Sequence, residues 1–188
     1  MVLLINACVR AESRTFALAR TAAKLLSDTY TELDLYKEDI RPVDGDTLTK
    51  RDLFISRRDY TDSMFRYAKQ FRDAEGIIVA APYWDMSFPA VLKCYVEAIC
   101  VNGLTFRYTE KGVPEGLCKA KRLVYVTTAG GYIGEYNYGY DYIRQLSVGL
   151  FGIRETVCIK AEGLDIEGAD TGCILEAAKA QTETILKS

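Results

Sequence analysis

The stretch Ile77-Ile78-Val79-Ala80-Ala81-Pro82-Tyr83-Trp84-Asp85-Met86-Ser87-Phe88-Pro89 is where the fold class is decided. Residues 77–81 are the most apolar run of the chain and stop at a proline, as a strand covered on both faces of a sheet does. Pro89 suits the first position of a helix, and Val91, Leu92, Tyr95, Val96 and Ile99 then recur at helical spacing. Strand, loop and helix in that order form the repeating unit of a parallel α/β sheet.

The same unit recurs outward in both directions. Residues 2–6 are a second continuous apolar run, followed by the loop 7–12 and by Ser13, which is placed to cap a helix bearing Phe16, Ala19, Ala22, Ala23, Leu25 and Leu26. Residues 31–35 alternate like a strand, whereas 37–59 read as a long polar surface connection, of the kind that covers a pocket rim or a neighbouring subunit. Thr61 or Asp62 opens a helix with Met64, Phe65, Ala68 and Phe71 on one face, ending near Gly76. Gly112, Pro114 and Gly116 punctuate a loop, and residues 123–128 form the fourth strand, ahead of Ala129-Gly130-Gly131. A helix over 142–150, a fifth strand over 156–160 and a C-terminal helix from Gly168 to about Leu186 complete a doubly wound α/β sheet. No repeat, low-complexity tract or linker interrupts the pattern, so residues 1–188 read as a single domain.

Composition narrows the function classes. With 49% hydrophobic and 27% charged residues the chain has the makeup of an ordinary globular protein. A net charge of −2 leaves no basic field for nucleic acid or anionic lipid, so neither is expected as a partner. Apolar runs fall far short of the roughly 20 residues that span a bilayer, and no signal peptide is visible, so a cytoplasmic location is expected. The six cysteines include no CxxC pair and read as free, mostly buried thiols. Histidine is absent, which removes Ser-His-Asp and Cys-His catalysis and any imidazole-based metal site; no metal is expected.

In an open parallel sheet, ligands bind beyond the carboxyl ends of the strands. Three loops leave such ends. The first carries Arg10, Ser13, Arg14 and Thr15 at a helix start, where hydroxyls, free amides and the positive helix end suit a phosphate. The same residues would equally serve a plain serine cap beside a solvated arginine. Neither GxxxxGK[ST] nor GxGxxG occurs there, which disfavours a P-loop or a dinucleotide turn. The second, Pro82 to Phe88, has the only tryptophan, and its large rings suit a planar heterocycle; the alternative is a loop folded on the core with Asp85 capping the next helix. The third, Thr127-Thr128-Ala129-Gly130-Gly131-Tyr132, allows close backbone approach because the paired glycines lack Cβ, or is an ordinary Gly-Gly turn.

At these residues the sequence resembles the flavodoxin-like NAD(P)H dehydrogenase (quinone) and FMN-dependent azoreductase family. The segment Gly103-Leu104-Thr105-Phe106-Arg107-Tyr108-Thr109-Glu110-Lys111-Gly112, followed after Val113 by Pro114-Glu115-Gly116-Leu117, looks like the family's GxTFxYTxxGPxGL stretch with one inserted residue. Pro82 to Asp85 resembles its Pro-x-Tyr/Trp-Asn loop, and Thr127 to Gly131 its Thr-Ser/Thr-x-Gly-Gly turn. The resemblance implies a flavodoxin-like doubly wound, parallel five-stranded sheet of order 2-1-3-4-5. It also implies FMN as bound cofactor, NADH or NADPH as electron donor, and a quinone or azo compound as acceptor. By the same carry-over Ser13, Arg14 and Thr15 hold the phosphate. Pro82, Tyr83, Trp84 and Asp85 border the isoalloxazine, and Thr127, Thr128, Ala129, Gly130 and Gly131 flank its pyrimidine side. Phe106 and Tyr108 line the substrate side across a homodimer interface.

Two departures stand out. Asp85 occupies the position where the family usually has Asn, and an ionised carboxylate accepts hydrogen bonds but cannot donate them. The Tyr/His pair that such reductases use for protons is incomplete, so Tyr132, Tyr136 or water has to serve. The expected reaction passes a hydride through the flavin N5 to a flat acceptor in a ping-pong cycle. A flavodoxin-type electron carrier and a non-enzymatic doubly wound module are the competing readings.

Overall fold

The structure is a computed structural model and describes residues 1–187. Seven strands are present: β1 (Val2–Asn6), β2 (Tyr30–Asp34), β3 (Gly76–Ala80), β4 (Phe106–Tyr108), β5 (Pro114–Gly116), β6 (Arg122–Thr128) and β7 (Glu155–Ala161). The six helices are α1 (Arg14–Leu26), α2 (Gly45–Ser56), α3 (Arg66–Asp73), α4 (Ala90–Ile99), α5 (Tyr138–Leu146) and α6 (Thr171–Lys187). The main sheet is wholly parallel in the order β2-β1-β3-β6-β7, which is the expected 2-1-3-4-5 when only its own strands are numbered.

The central strands alternate between two cores. Leu3 and Ile5, Ile77 and Val79, and Leu123 and Tyr125 face α3, α4 and α5. Leu4, Ile78, Ala80, Val124 and Val126 face α1 and α6. With both faces covered, a continuous apolar run is the only pattern that leaves no polar side chain stranded. Ala19, Ala22 and Ala23 bring α1 close to the sheet, and Ser13 caps it by accepting from the Phe16 amide at 3.2 Å. These placements leave the first, second and third loops together at the carboxyl edge of the sheet.

Several elements differ from the sequence reading. Residues 37–59 are not irregular throughout: they contain α2, capped by the Asp44 carboxylate on the Thr47 amide at 2.8 Å. The helix expected from Thr61 or Asp62 is split, a 3-10 turn at Ser63–Phe65 preceding α3. Pro89 sits at the cap position of α4 and not inside its first turn. The helix expected over 142–150 begins at Tyr138, ends at Leu146 and continues as a π turn over Ser147–Phe151. Gly112 to Gly116 belong to an antiparallel hairpin, with Phe106 paired to Gly116 and Tyr108 to Pro114. All six cysteines are free, but only Cys8 is fully buried; four are half-buried and Cys173 is exposed. Among the described residues no helix is long and apolar enough to cross a membrane.

The hairpin is moored at the amino edge of the sheet. Lys119 donates its amide to the Arg72 carbonyl at 2.8 Å, and its ammonium reaches Asp73 at 2.8 Å. Arg72 and Lys119 together hold the Asp73 carboxyl down at about 2. A carboxyl depressed in the folded state stabilises it above the unfolded pKa near 4, and that gain fades as pH falls towards 2. Asp73→Asn is therefore expected to cost less than about 1 kcal/mol at pH 7, because the pair is partly exposed. Urea unfolding of both proteins at pH 7 and pH 3 checks this: the gap between them should narrow at the lower pH.

Candidate functional site

A cleft of about 210 Å³ opens at the carboxyl edge of β1, β3 and β6. It is lined by Arg10, Ser13, Arg14, Thr15, Pro82, Tyr83, Trp84, Thr128, Ala129 and Gly130, together with Cys8, Val9, Glu12 and Asp165. All three loops singled out from composition thus meet around one hollow.

The first loop delivers the start of α1. Ser13 spends one lone pair on the cap, and the Arg14 and Thr15 amides, the first two of the helix, have no acceptor among the described residues. Thr15 is buried and its hydroxyl lies 2.6 Å from that of Thr128, which ties the helix start to the end of β6. Arg10 has no hydrogen-bond or ion-pair partner among the described residues. The Cys8 thiol sits beneath this loop, where burial pushes it up to about 11, so it stays protonated at neutral pH.

The second loop is a tight two-residue turn. Trp84 and Ser87 exchange backbone hydrogen bonds at 3.2 and 2.7 Å, while Asp85 and Met86 between them have φ of 51° and 64°. Two consecutive left-handed residues define a type I′ turn. Aspartate tolerates that conformation, but methionine pays about 1 kcal/mol or more for it. Strain of this kind persists where the displayed backbone has a use. Here the turn presents the Asp85 and Met86 amides without acceptors among the described residues, and exposes Trp84 and Met86. Asp85 neither caps α4 nor lines the cleft; its carboxylate stands at the turn tip without a partner among the described residues.

The third loop is held from behind by the segment after β7. The Gly163, Leu164 and Asp165 amides donate to the carbonyls of Gly131, Ala129 and Gly130 at 3.0, 3.2 and 2.9 Å. The Gly130 and Gly131 amides have no acceptor among the described residues. A Cβ on Gly131 would meet nothing within 4 Å, and neither glycine has a positive φ. Nothing within the chain demands glycine at 131, so its bare backbone leaves room for a group from outside. Thr127 is fully buried with its hydroxyl unpartnered among the described residues, and it does not line the cleft.

The remaining expected residues stand apart. Tyr83 donates to the Tyr136 carbonyl at 3.3 Å, fastening the second loop to the third. The Tyr136 and Tyr138 rings stack 5.8 Å apart, and Tyr132 is 79% exposed; Tyr132 and Tyr136 lie outside the cleft lining. Phe106 and Tyr108 pack edge to face at 5.6 Å on the hairpin, away from this chain's own cleft. Asp165 was missed by composition, because Gly163-Leu164-Asp165 holds nothing unusual. Its place directly after the carboxyl end of β7 was the available signal.

A model of the Flavodoxin_2 family, described as flavodoxin-like fold, matches residues 1–186. The chain is 36% identical to FMN-dependent NADH:quinone oxidoreductase 2 of Clostridium acetobutylicum, over 97% of this chain and 98% of that one. It is 38% identical to the FMN-dependent NADH:quinone oxidoreductase of Clostridium beijerinckii, over 92% and 90%. Among solved structures, the azoreductase from Bacillus anthracis superposes with a TM-score of 0.83 at 23% identity, over 98% and 97% of the two chains. An FMN-dependent NADH-azoreductase from the same species, solved in complex with FMN, gives 0.80 at 22% identity, over 99% and 97%. The fold is therefore shared with the azoreductases, and a match over almost the whole length makes this chain a member of the Flavodoxin_2 family.

Proposed function

We propose that this chain is an FMN-dependent NADH:quinone oxidoreductase that also reduces azo compounds, and that residues 1–188 form one FMN-binding domain. The observation carrying this reading is the set of acceptor-less amides on the three loops that meet at one edge of the sheet: Arg14 and Thr15 at a helix start, Asp85 and Met86 on a strained turn, and Gly130 and Gly131 on the glycine turn, where Gly131 stands beside open space. The helix end suits the FMN phosphate, and the two turns suit the polar edge of a flat ring. The names of the relatives supply FMN and NADH.

When bound, FMN would supply the redox chemistry, a two-electron hydride exchange through N5 between NADH and a quinone or azo acceptor in a ping-pong cycle. The chain's own work is to hold and orient. Ser13, Arg14 and Thr15 take the phosphate. Pro82, Tyr83 and Trp84 would wall the ring, with Asp85 on the turn beyond them, and Thr128 to Gly131 would flank it, with Thr127 buried behind them. Tyr132 and Tyr136, both exposed at the rim, donate hydrogen bonds to the reduced acceptor in place of the absent histidine. Phe106 and Tyr108 come from the second subunit of a homodimer in the cytoplasm.

The purified protein is expected to be yellow, to release FMN on denaturation, and to bleach anaerobically with NADH and recolour on addition of a quinone. Failure to retain flavin after reconstitution with FMN overturns the cofactor assignment. Bound FMN that neither NADH nor NADPH reduces would make the protein an electron carrier.

A further inference from the structure

The phosphate end of the cleft contains an anion of its own. Arg14 directs Nη2 to Asp165 Oδ1 at 2.9 Å and Nη1 to the Leu164 carbonyl at 3.3 Å. The second carboxylate oxygen of Asp165 lies against Gly130, so close that a Cβ on that glycine would collide with it. Asp165 is thus wedged between the helix start and the glycine turn, inside the cleft lining. The charged residues lining the cleft are Arg10, Glu12, Arg14 and Asp165, two of each sign. A ligand bearing a phosphate dianion meets no net positive charge there, and one of the two cations is already engaged.

Building on the FMN assignment above, we propose that Asp165 is a specificity-determining residue that competes with the flavin phosphate for Arg14. Phosphate entering at the start of α1 takes the Arg14 guanidinium, and Asp165 has to release it and tolerate a dianion nearby. The carboxylate thereby lowers affinity for FMN without touching affinity for the phosphate-free flavin. Its cost is limited because the Arg14 and Asp165 side chains are 35% and 66% exposed, so water screens the repulsion. Asp165 has no other side-chain partner among the described residues, which makes it a position where charge can be changed without disturbing the fold.

Asp165→Asn preserves shape and can still accept from Arg14, so it removes the charge at the cost of turning one acceptor oxygen into an NH2 donor. Apo wild type and variant are titrated with FMN and with riboflavin, following the quenching of flavin fluorescence, with thermal unfolding as the check on folding. The variant is expected to bind FMN roughly tenfold more tightly and riboflavin unchanged, and the gain should shrink at 1 M salt. In an Arg14→Ala background the Asp165→Asn gain should shrink to the screened repulsion between carboxylate and phosphate, since no guanidinium is left to compete for; a gain as large as in the Arg14 background overturns the competition. Unchanged or weaker FMN binding by Asp165→Asn overturns the proposal and makes Asp165 a support for Arg14. A wild type that binds neither flavin overturns the cofactor assignment together with this inference, whereas wild-type binding with an unaltered variant overturns the inference alone.

Discussion

Replacement of Gly116 by alanine is expected to destabilise the protein more than any other single added methyl. Gly116 closes β5, and a Cβ there would fall inside the Phe151 carbonyl group and the Gly152 nitrogen. Those atoms are backbone, so no rotamer change relieves the overlap. Nor is that backbone free to retreat. Gly152 has φ of 78° and ends the π turn, while the buried Phe151 ring packs on Phe71 at a centroid distance of 4.9 Å. Either Phe151 is levered out of the core or the hairpin lifts off its mooring. The cost expected is about 3 kcal/mol or more, a fall of roughly 6–12 °C in Tm for a chain of this size. Thermal unfolding followed by circular dichroism measures it. A Tm within about 1 °C of wild type would show that the hairpin is not seated on the π turn.

Gly116 also illustrates what sequence can and cannot reveal. The main sheet was legible because each central strand is apolar on both faces, and the loops leaving it were legible because their compositions are odd. Gly112, Pro114 and Gly116 read as loop punctuation, since strands of three residues are too short to display a period. The reason for glycine at 116 lies 35 positions away, in a backbone that only the folded chain brings near. The helix α2 was missed for a different reason. None of its residues is fully buried, and it touches the small core of Phe65, Ala68, Val101 and Leu104 only through Phe54 and Ile55. A helix held by two apolar side chains and by the polar contacts of Lys50 with Asp62 and Arg51 with the Glu97 carbonyl has no apolar stripe to read. Its one visible signal was the spacing from Asp44 to Thr47, a cap.

The site was legible to the extent that backbone chemistry is. Glycines, a helix start and a loop of large rings pointed to the same edge of the sheet, and they do converge. Charge pairing was not legible: Arg14 and Asp165 are 151 positions apart, and only the return of the β7 loop onto the glycine turn joins them. Tyr132 and Tyr136 carry suitable chemistry, but both are exposed and lie outside the cleft lining.

Mixing two individually crippled variants is expected to recover activity, because the hairpin and the cleft of one chain lie at opposite ends of its sheet. The hairpin is moored beside Arg72, Glu75 and the Phe151–Gly152 backbone, all of which precede strands. The cleft lies after β1, β3 and β6, and a five-residue strand separates the two edges by about 16 Å. A role for Tyr108 at a substrate site is then a role at another subunit's cleft. Tyr108→Ala should retain FMN yet lose at least about tenfold in kcat/KM for the acceptor, through lost stacking and positioning. Gly130→Leu should lose FMN yet stay folded, because the atoms nearest to an added Cβ belong to the exposed side chain of Asp165 and not to backbone. Equal amounts of the two, dissociated and reassociated, give mixed dimers in half of the population. Each mixed dimer has one cleft with intact Gly130 facing an intact Tyr108, so about a quarter of wild-type activity should return. Native mass spectrometry confirms that the mixed species has formed. If it has formed and activity stays at the level of the separate variants, the second subunit does not complete the site, and the loss in Tyr108→Ala does not come from a role at another subunit's cleft.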